Sequence, residues 1–263
     1  MKRFIDDAKK YFDYEVRAAK STLKTEVANS YLNWIWWVLD PLFSMLVYYF
    51  VFAIVFKSRE QHFITFLFIG QTMWGFFNKN VTQSVKMIKR NKGIVSKVYI
   101  PKFVLLFSNM MVNGVKMGIS WIIVVIMMMV FRVDISFYIF CYIPVLLVLI
   151  LITFAVCVNL MHFGVFVEDL GNVVTIVMQL LFYMSGILYN IENRMGAEYP
   201  LAAKILTYGN PMAFLIREMR NVLLYKQGPD WLALGVWALI AFILSAIGVR
   251  TIYKNENSYV KVI

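Results

Sequence analysis

The residues with the best claim to chemistry are four polar side chains inside one apolar run. Asn109, Asn113, Lys116 and Ser120 follow one another at steps of four, three and four, which on an α-helix keeps them in a narrow stripe on one face. Lys116 is fourteen residues from Lys102, about 21 Å at 1.5 Å per residue. That is too deep for easy snorkelling, and a cation so placed faces protein or a water-filled path. Two readings are open. The stripe is either an interhelical hydrogen-bond seam, helped by Gly114 and Gly118 as a close-packing pair, or a contact for a substrate moving along the helix. Of the two, the seam is preferred.

Little else has the spacing that catalysis or cofactor binding requires. Gly70 and Gly75 are separated as in a phosphate loop, but Phe76-Phe77 stands where lysine and serine or threonine are needed, so no phosphate would be held there. His62 and His162 are the only histidines and lie far apart; no Cys, His and acid cluster has metal-ligand spacing. Cys141 and Cys157 are sixteen residues apart in one apolar block, about 24 Å along a helix, which forbids a mutual bridge and leaves two inert core thiols. No Ser-His-Asp grouping can be argued. The chain is therefore expected to hold no cofactor or metal of its own and no active site. A membrane enzyme using scattered acids is the remaining catalytic reading.

Helices in a membrane must position the stripe. Apolar residues fill 61% of 263 positions and charged ones 16%, against about a quarter charged in a soluble domain. Residues 34–56 carry one charge, Asp40, in 23 positions, enough to span a hydrocarbon core. Trp34, Trp36 and Trp37 mark the entrance at headgroup level, and Asp40-Pro41 loosens one backbone bond there. Further spans are read at 63–77 with its flanks, 103–131, 137–163, 172–189 and 231–252. The expectation is an all-α polytopic membrane protein, residues 32–263 forming six transmembrane helices. No short leader with a cleavage site opens the sequence, so the first span is expected to direct insertion itself.

Three polar segments complete the plan. In residues 1–28, Phe4, Ile5, Ala8, Phe12, Val16, Ala19, Leu23 and Val27 recur at three- and four-residue steps opposite a basic face; a helix too polar to span lies along the membrane surface. It serves as an anchor or also receives a partner protein. The 79–102 loop carries seven Lys and Arg and no acid, with Val81, Val85, Ile88 and Val95 at rough helical spacing. Residues 191–229 mix apolar patches with Gly209-Asn210-Pro211 and Gly228-Pro229, a pattern of short re-entrant or surface-lying helices. If both termini and the 79–102 loop share one side, that side holds 17 of the 26 Lys and Arg. Excess Lys and Arg stays in the cytoplasm, so both termini are read as cytoplasmic and 191–229 as external. A net charge of +11 then reports topology, and no nucleic-acid partner is expected.

At this point the residues resemble a family. Ser30-Tyr31-Leu32-Asn33-Trp34-Ile35-Trp36-Trp37-Val38-Leu39-Asp40-Pro41-Leu42 is similar to the entrance of ABC-2 type permeases that export polysaccharides, and Val47-Tyr48-Tyr49-Phe50-Val51-Phe52 to the run that follows it. Val98-Tyr99-Ile100-Pro101, Ser185-Gly186-Ile187-Leu188-Tyr189, Asn210-Pro211 with 217–223 beyond, and Glu256-Asn257-Ser258-Tyr259 continue the likeness over nearly the whole chain. Asn33 replaces a usual Gly, Asp40 a usual Asn, Gly186 a usual Pro, and Glu168-Asp169 stands where an Arg-Asp pair is common.

The resemblance implies half of a transporter in a bacterial plasma membrane. Such a permease homodimerises and pairs with two copies of a separate ATPase, which holds the ATP and Mg. It makes residues 1–28 an interface helix and part of the 81–100 loop a coupling helix, with Val85, Lys86, Ile88, Lys89 and Arg90, and with Glu168 and Asp169 of the second cytoplasmic loop, at the ATPase. A positively charged cytoplasmic turn explains the lysines equally; only coupling explains the apolar residues among them. Residues 191–229 become an external gate. The implied substrate is a lipid-linked envelope polysaccharide, an O-antigen, teichoic acid or similar glycan. Because pyranose rings stack on aromatic faces, Trp34, Trp36, Trp37, Tyr48, Tyr49, Phe182 and Tyr183 are candidates for its channel, although interface anchoring accounts for the same residues. A related ABC-2 permease for a drug or other lipid is the alternative, with the membrane enzyme third.

Overall fold

A computed structural model of the chain describes residues 2–28, 31–55, 60 and 62–262, and all their regular elements are helical. Ser30 of the entrance motif, and all but Glu60 of the 57–61 turn, lie outside these residues. The helices are α1 (Lys2–Ala28), α2 (Trp36–Tyr49, prolonged by a π-helical turn, Phe50–Val55), α3 (Phe63–Val85), α4 (Met87–Arg90), α5 (Lys92–Val95) and α6 (Lys102–Val130). After a 3₁₀ turn, Phe137–Cys141, come α7 (Tyr142–Phe166), α8 (Leu170–Met184), α9 (Ile191–Met195), α10 (Pro200–Gly209), α11 (Pro211–Leu223) and α12 (Trp231–Val262).

The core is organised around α3, which touches α2, α6, α7, α8 and α11. Residues 65–70 of α3 are buried without interruption, so the helix is covered on every side. A helix shielded in this way need not be uniformly apolar, and α3 carries Thr72, Asn80 and Ser84 buried among its aromatics. Among the described residues, three helices are long and apolar enough to cross a membrane: Lys102–Val130, Phe137–Phe166 and Trp231–Tyr259. Trp36–Phe52 and Leu170–Met184 are apolar but shorter. The sequence reading expects six spans; length and hydropathy alone mark these three, with two shorter apolar helices beside them. Outward apolar rows such as Ile122, Ile126 and Met129 on α6 and Leu239, Phe242 and Ile243 on α12 suit contact with acyl chains.

Helix α1 packs along α6 with a face that shares Phe4, Ala8 and Ala19 with the one hydropathy selects and adds Tyr11 and Tyr14. Phe4, Ala8, Tyr11 and Tyr14 cover Ile100, Phe103 and Val104, while Ile5 and Phe12 are about half exposed. One acid is buried on this face as well. That acid is Glu15, 3% exposed, its Oε1 without a hydrogen-bond partner. Burial pushes its carboxyl up from 4.5 to about 7. The docked helix favours the protonated form, so docking is strongest below pH 4.5 and weakens as pH rises through about 7, by on the order of 3 kcal/mol. Hydrogen exchange over residues 2–28 should be faster at pH 8 than at pH 5 after correction for intrinsic rates, and Glu15→Gln should flatten that difference. Equal pH dependence in the variant would refute the assignment.

Polar contacts gather the connections at two ends. At one end, Arg3 Nη2 donates to Tyr99 Oη at 2.6 Å and pairs with Glu256 at 3.3 Å, while Tyr99 Oη donates to Glu256 Oε2 at 3.0 Å. The Arg3 guanidinium also lies 4.4 Å from the centroid of the Tyr253 ring, and Tyr253 Oη donates to Asp7 at 2.6 Å. His162 Nδ1 meets Tyr259 Oη at 2.8 Å. Thus α1, the loop before α6, the end of α7 and the tail of α12 share one cluster. At the other end, Lys226 pairs with Asp134 at 2.8 Å and Asn193 donates to Glu60 at 2.9 Å.

The 191–229 segment is three short helices with built stops. Asn190 Oδ1 accepts from the N–H groups of Glu192 and Asn193 to cap α9, and Asn210 Oδ1 does the same for α11 ahead of Pro211, a strong start signal. Asn210 Nδ2 donates to Ser185 Oγ at 2.9 Å. Gly186 adopts φ +62°, which proline cannot reach and other residues adopt only under strain. This explains why glycine, rather than the family's usual proline, serves the backbone as it is bent here. Arg220 is 4% exposed and donates to the carbonyls of Phe66, Gly186 and Ile187 at 2.7–3.2 Å, locking α11 to α3 and to the end of α8.

Candidate functional site

A cleft of about 440 Å³ opens between α1, α2, α3 and α6. Its α2 wall presents Trp36, Trp37, Asp40 and Ser44; α3 contributes Gln71, Thr72 and Lys79; α6 contributes Asn113, Lys116 and Ser120. Two groups of residues singled out separately in the sequence therefore face one space. The cleft mixes broad aromatic faces with carboxamides, hydroxyls and charges. Asp40 and Lys79 stand 3.7 Å apart and, at that spacing and exposure, form a weak pair that a polar ligand could displace.

The stripe on α6 divides its work. Asn109 and Asn113 donate to Asn80 Oδ1 at 3.2 and 2.9 Å, and Asn113 also reaches Gln83 Oε1 at 3.0 Å. This part is a seam between α6 and α3. Lys116 instead pairs with Glu26 of α1 at 2.6 Å, the two side chains 20% and 39% exposed. Its neighbour on the stripe, Ser120, donates to the Lys116 carbonyl. Helix α1 meets α6 from Phe103 to Lys116. Gly114 and Gly118 do not provide a close approach: a Cβ at either would meet nothing within 4 Å. The close contacts fall elsewhere, at Gly164 against the Val85 carbonyl and at Gly248 against Val158 and Asn159. The seam is held by amide hydrogen bonds, which need no such approach.

A half-buried pair of this kind loses more when one charge is left alone than it contributes when intact. Lys116→Met is expected to lower the thermal midpoint of the detergent-solubilised protein and to expose residues 20–28 to protease, a loss of about 1–3 kcal/mol. The reciprocal swap Lys116→Glu with Glu26→Lys should restore most of it. Failure of the swap to recover protection would show that Lys116 acts through something other than Glu26.

The remaining aromatics form a second group. Tyr48 and Trp74 each lie 5.8 Å from Phe182, and Phe182 5.3 Å from Tyr183. This row joins α2, α3 and α8, with Tyr183 63% exposed. Tyr49 packs on the core instead, and Trp34 is 60% exposed outside the cleft.

The basic loop folds back on the bundle. Val85, Ile88 and Val95 are 2%, 1% and 7% exposed within the chain's own core, so their spacing reflects packing inside this molecule and they offer no surface to a partner. Lys86 and Arg90 are exposed, as are Ile94 and Val98. Lys89 pairs with Glu168 at 3.6 Å, and the Lys86 stem lies over Gly171, so the loop and the α7–α8 connection form one surface. Asp169 is exposed at the N-terminus of α8.

Sequence reading missed Glu26, Gln71, Thr72, Asn80 and Gln83 as cleft and seam residues. The second span was ended at Phe77 because Lys79 broke the apolar run, yet α3 continues to Val85. Thr72, Lys79, Asn80 and Gln83 carry a helical spacing that could have extended it.

Comparison with known proteins agrees with this architecture. Over 254 residues, 96% of this chain and 95% of the relative, it is 25% identical to the O-antigen export system permease protein RfbA of Klebsiella pneumoniae. Over 244 residues, 93% of each chain, it is 23% identical to the protein of the same name from Myxococcus xanthus. Residues 18–224, from the second half of α1 past the end of α11, match the sequence pattern of the family described as ABC-2 type transporter, and the chain belongs to that family.

Proposed function

We propose that this chain is the permease of an ATP-driven exporter that moves a lipid-linked envelope polysaccharide, an O-antigen, teichoic acid or similar glycan, across a bacterial plasma membrane. The observation that carries the reading is likeness over nearly the full length to permeases named for O-antigen export. The cleft supplies a physical means: Trp36 and Trp37 offer faces for sugar rings beside the amides and hydroxyls of α3 and α6. The row of Tyr48, Trp74, Phe182 and Tyr183 continues along α2.

In this reading six helices span the membrane, α3 enclosed by its own neighbours and α2 and α8 packing against a second copy. Such a homodimer would cover Phe43, Leu46 and Val47 on α2 and Ile176, Val177 and Leu180 on α8, which are exposed in the single chain and otherwise meet acyl chains. The end holding Arg3, Tyr99 and Glu256 is cytoplasmic, and α9 to α11 form short re-entrant gate helices outside. Two copies of a separate ATPase bind ATP and Mg and dock on the basic surface. Its outward groups, Lys86 and Arg90, suit an acidic groove. Charge reversal at both is expected to abolish co-purification of the ATPase while the permease still folds; Lys89 is spared because reversing it would also repel Glu168. Undiminished co-purification would remove that docking surface.

Deleting the gene tests the function itself. Surface glycan should disappear and lipid-linked glycan accumulate on the cytoplasmic side, with recovery on re-expression. Unchanged surface glycan in the deletion strain would contradict the reading.

A further inference from the structure

Apart from the cleft, one polar cavity has no part in anything described so far. It measures about 370 Å³ and lies between the end of α8, helices α9, α10 and α11, and Glu60, three residues ahead of α3. Its charged lining is balanced. Glu192 pairs with Arg217 at 2.8 Å, Glu60 accepts from Asn193, and the Arg220 donors are taken by backbone carbonyls. Two acids and two arginines leave no uncompensated charge for a phosphate or a metal ion. Around them stand groups suited to a neutral polyol: the side chains of Asn221 and Gln227 and the rings of Tyr189 and Tyr225. A planar amide beside an aromatic face matches the equatorial hydroxyls and the apolar flank of a pyranose ring, and a cavity of this size is in the range of small-molecule sites.

One further observation points to a ligand. Thr207 is 2% exposed, lines this cavity, and its Oγ1 has no hydrogen-bond partner. A buried hydroxyl left unsatisfied costs free energy that a bound partner would return. The cavity sits at the same end as the Asn193 to Glu60 contact, opposite the Arg3 cluster.

We propose that this cavity is a binding site for one uncharged pyranosyl residue of the exported glycan, reached on the outer side within a single protomer and separate from the cleft between α1, α2, α3 and α6. This rests on the glycan-export reading. The site would hold the emerging chain against slipping back while the next sugars enter.

The test uses the purified full-length protein in nanodiscs, without ATPase. The probe is the host's own surface polysaccharide, delipidated and cut to short oligosaccharides, with binding read by saturation-transfer NMR. Wild type should bind, and Thr207→Val with Asn221→Ala should bind at least tenfold more weakly. Thr207→Val alone should leave the thermal midpoint unchanged or raised, because it removes an unsatisfied hydroxyl, yet still weaken binding. Absence of binding by wild type, equal binding by the variants, or displacement of the oligosaccharide by inorganic phosphate would overturn the proposal. The deletion strain reports on export alone, so lost surface glycan with no binding here removes the cavity's role and keeps the function, whereas binding here with unchanged surface glycan refutes the export reading, and with it the cavity's role in export, and leaves only a glycan-binding cavity.

Discussion

Arg220→Met is expected to give a protein whose thermal midpoint in detergent falls by roughly 10 °C, for a loss of about 3–5 kcal/mol. Arg220 holds three backbone carbonyls from two distant segments: Phe66 on α3, and Gly186 and Ile187 after α8. Its guanidinium lies 3.3 Å from the centroid of the Phe66 ring. Removing it takes the donor from the buried Gly186 and Ile187 carbonyls, each costing about 1–3 kcal/mol, and the second bond from the Phe66 carbonyl, which keeps its place in the α3 ladder. Room for the fork comes from Gly70, where a Cβ would stand 2.7 Å from Arg220 Nη2. That is the glycine whose spacing from Gly75 imitates a phosphate loop; its role is to admit an arginine. Arg220→Lys should recover little, since one ammonium cannot reproduce a planar fork spread over separate carbonyls. A midpoint within 2 °C of wild type for Arg220→Met would show that α11 is held to α3 by something else.

The second large effect is expected at Gly164. A Cβ there would overlap the Val85 carbonyl, a backbone atom that no rotamer change can move. Gly164→Ala must therefore push the end of α7 away from the junction of α3 and α4, at about 3 kcal/mol, the upper end of overpacking costs. The displaced junction carries Lys86, Lys89 and Arg90, so ATPase binding should weaken along with stability. Gly114→Ala and Gly118→Ala are the controls. With nothing within 4 Å of either Cβ, they should be neutral, or stabilising by up to about 1 kcal/mol from helix propensity. Equal midpoints for Gly164→Ala and the two controls would contradict the placement of α7 against Val85.

How much of this was legible in the sequence depends on the kind of force involved. The long apolar helices were, because lipid exposure demands hydrophobicity at nearly every position of α6, α7 and α12. The boundaries of α3 were not: a helix enclosed by its neighbours can carry Lys79, Asn80 and Gln83 and continue, so hydropathy ended it eight residues early. Spacing placed Asn109, Asn113 and Lys116 on one face, but their partners Asn80, Gln83 and Glu26 come from elements distant in sequence, and single-helix periodicity cannot name them. The apolar residues of the basic loop were assigned to a partner because a buried valine and a docking valine look alike in sequence. On α1, the stripe hydropathy selects is partly the one that packs: Phe4, Ala8 and Ala19 face inward, whereas Ile5 and Phe12 turn outward and Tyr11, Tyr14 and Glu15 pack beside the first three. The motifs Ser185-Gly186, Asn210-Pro211 and Tyr99 with Glu256 were visible as text; that the first two bond to each other and the last two likewise could be seen only once the chain was folded.

The measurement that bears most directly on the central claim is reconstitution. Proteoliposomes holding this chain with its ATPase are loaded on the ATPase-facing side with a fluorescently labelled lipid-linked oligosaccharide from the host, and its appearance in the opposite leaflet is followed by quenching. Transfer is expected only when both subunits, ATP and Mg are present, and it should fall at least tenfold with Trp36→Ala and Tyr48→Ala combined. Transfer by this chain alone, or no transfer by the complete pair while an unglycosylated lipid or drug is moved, would contradict the account.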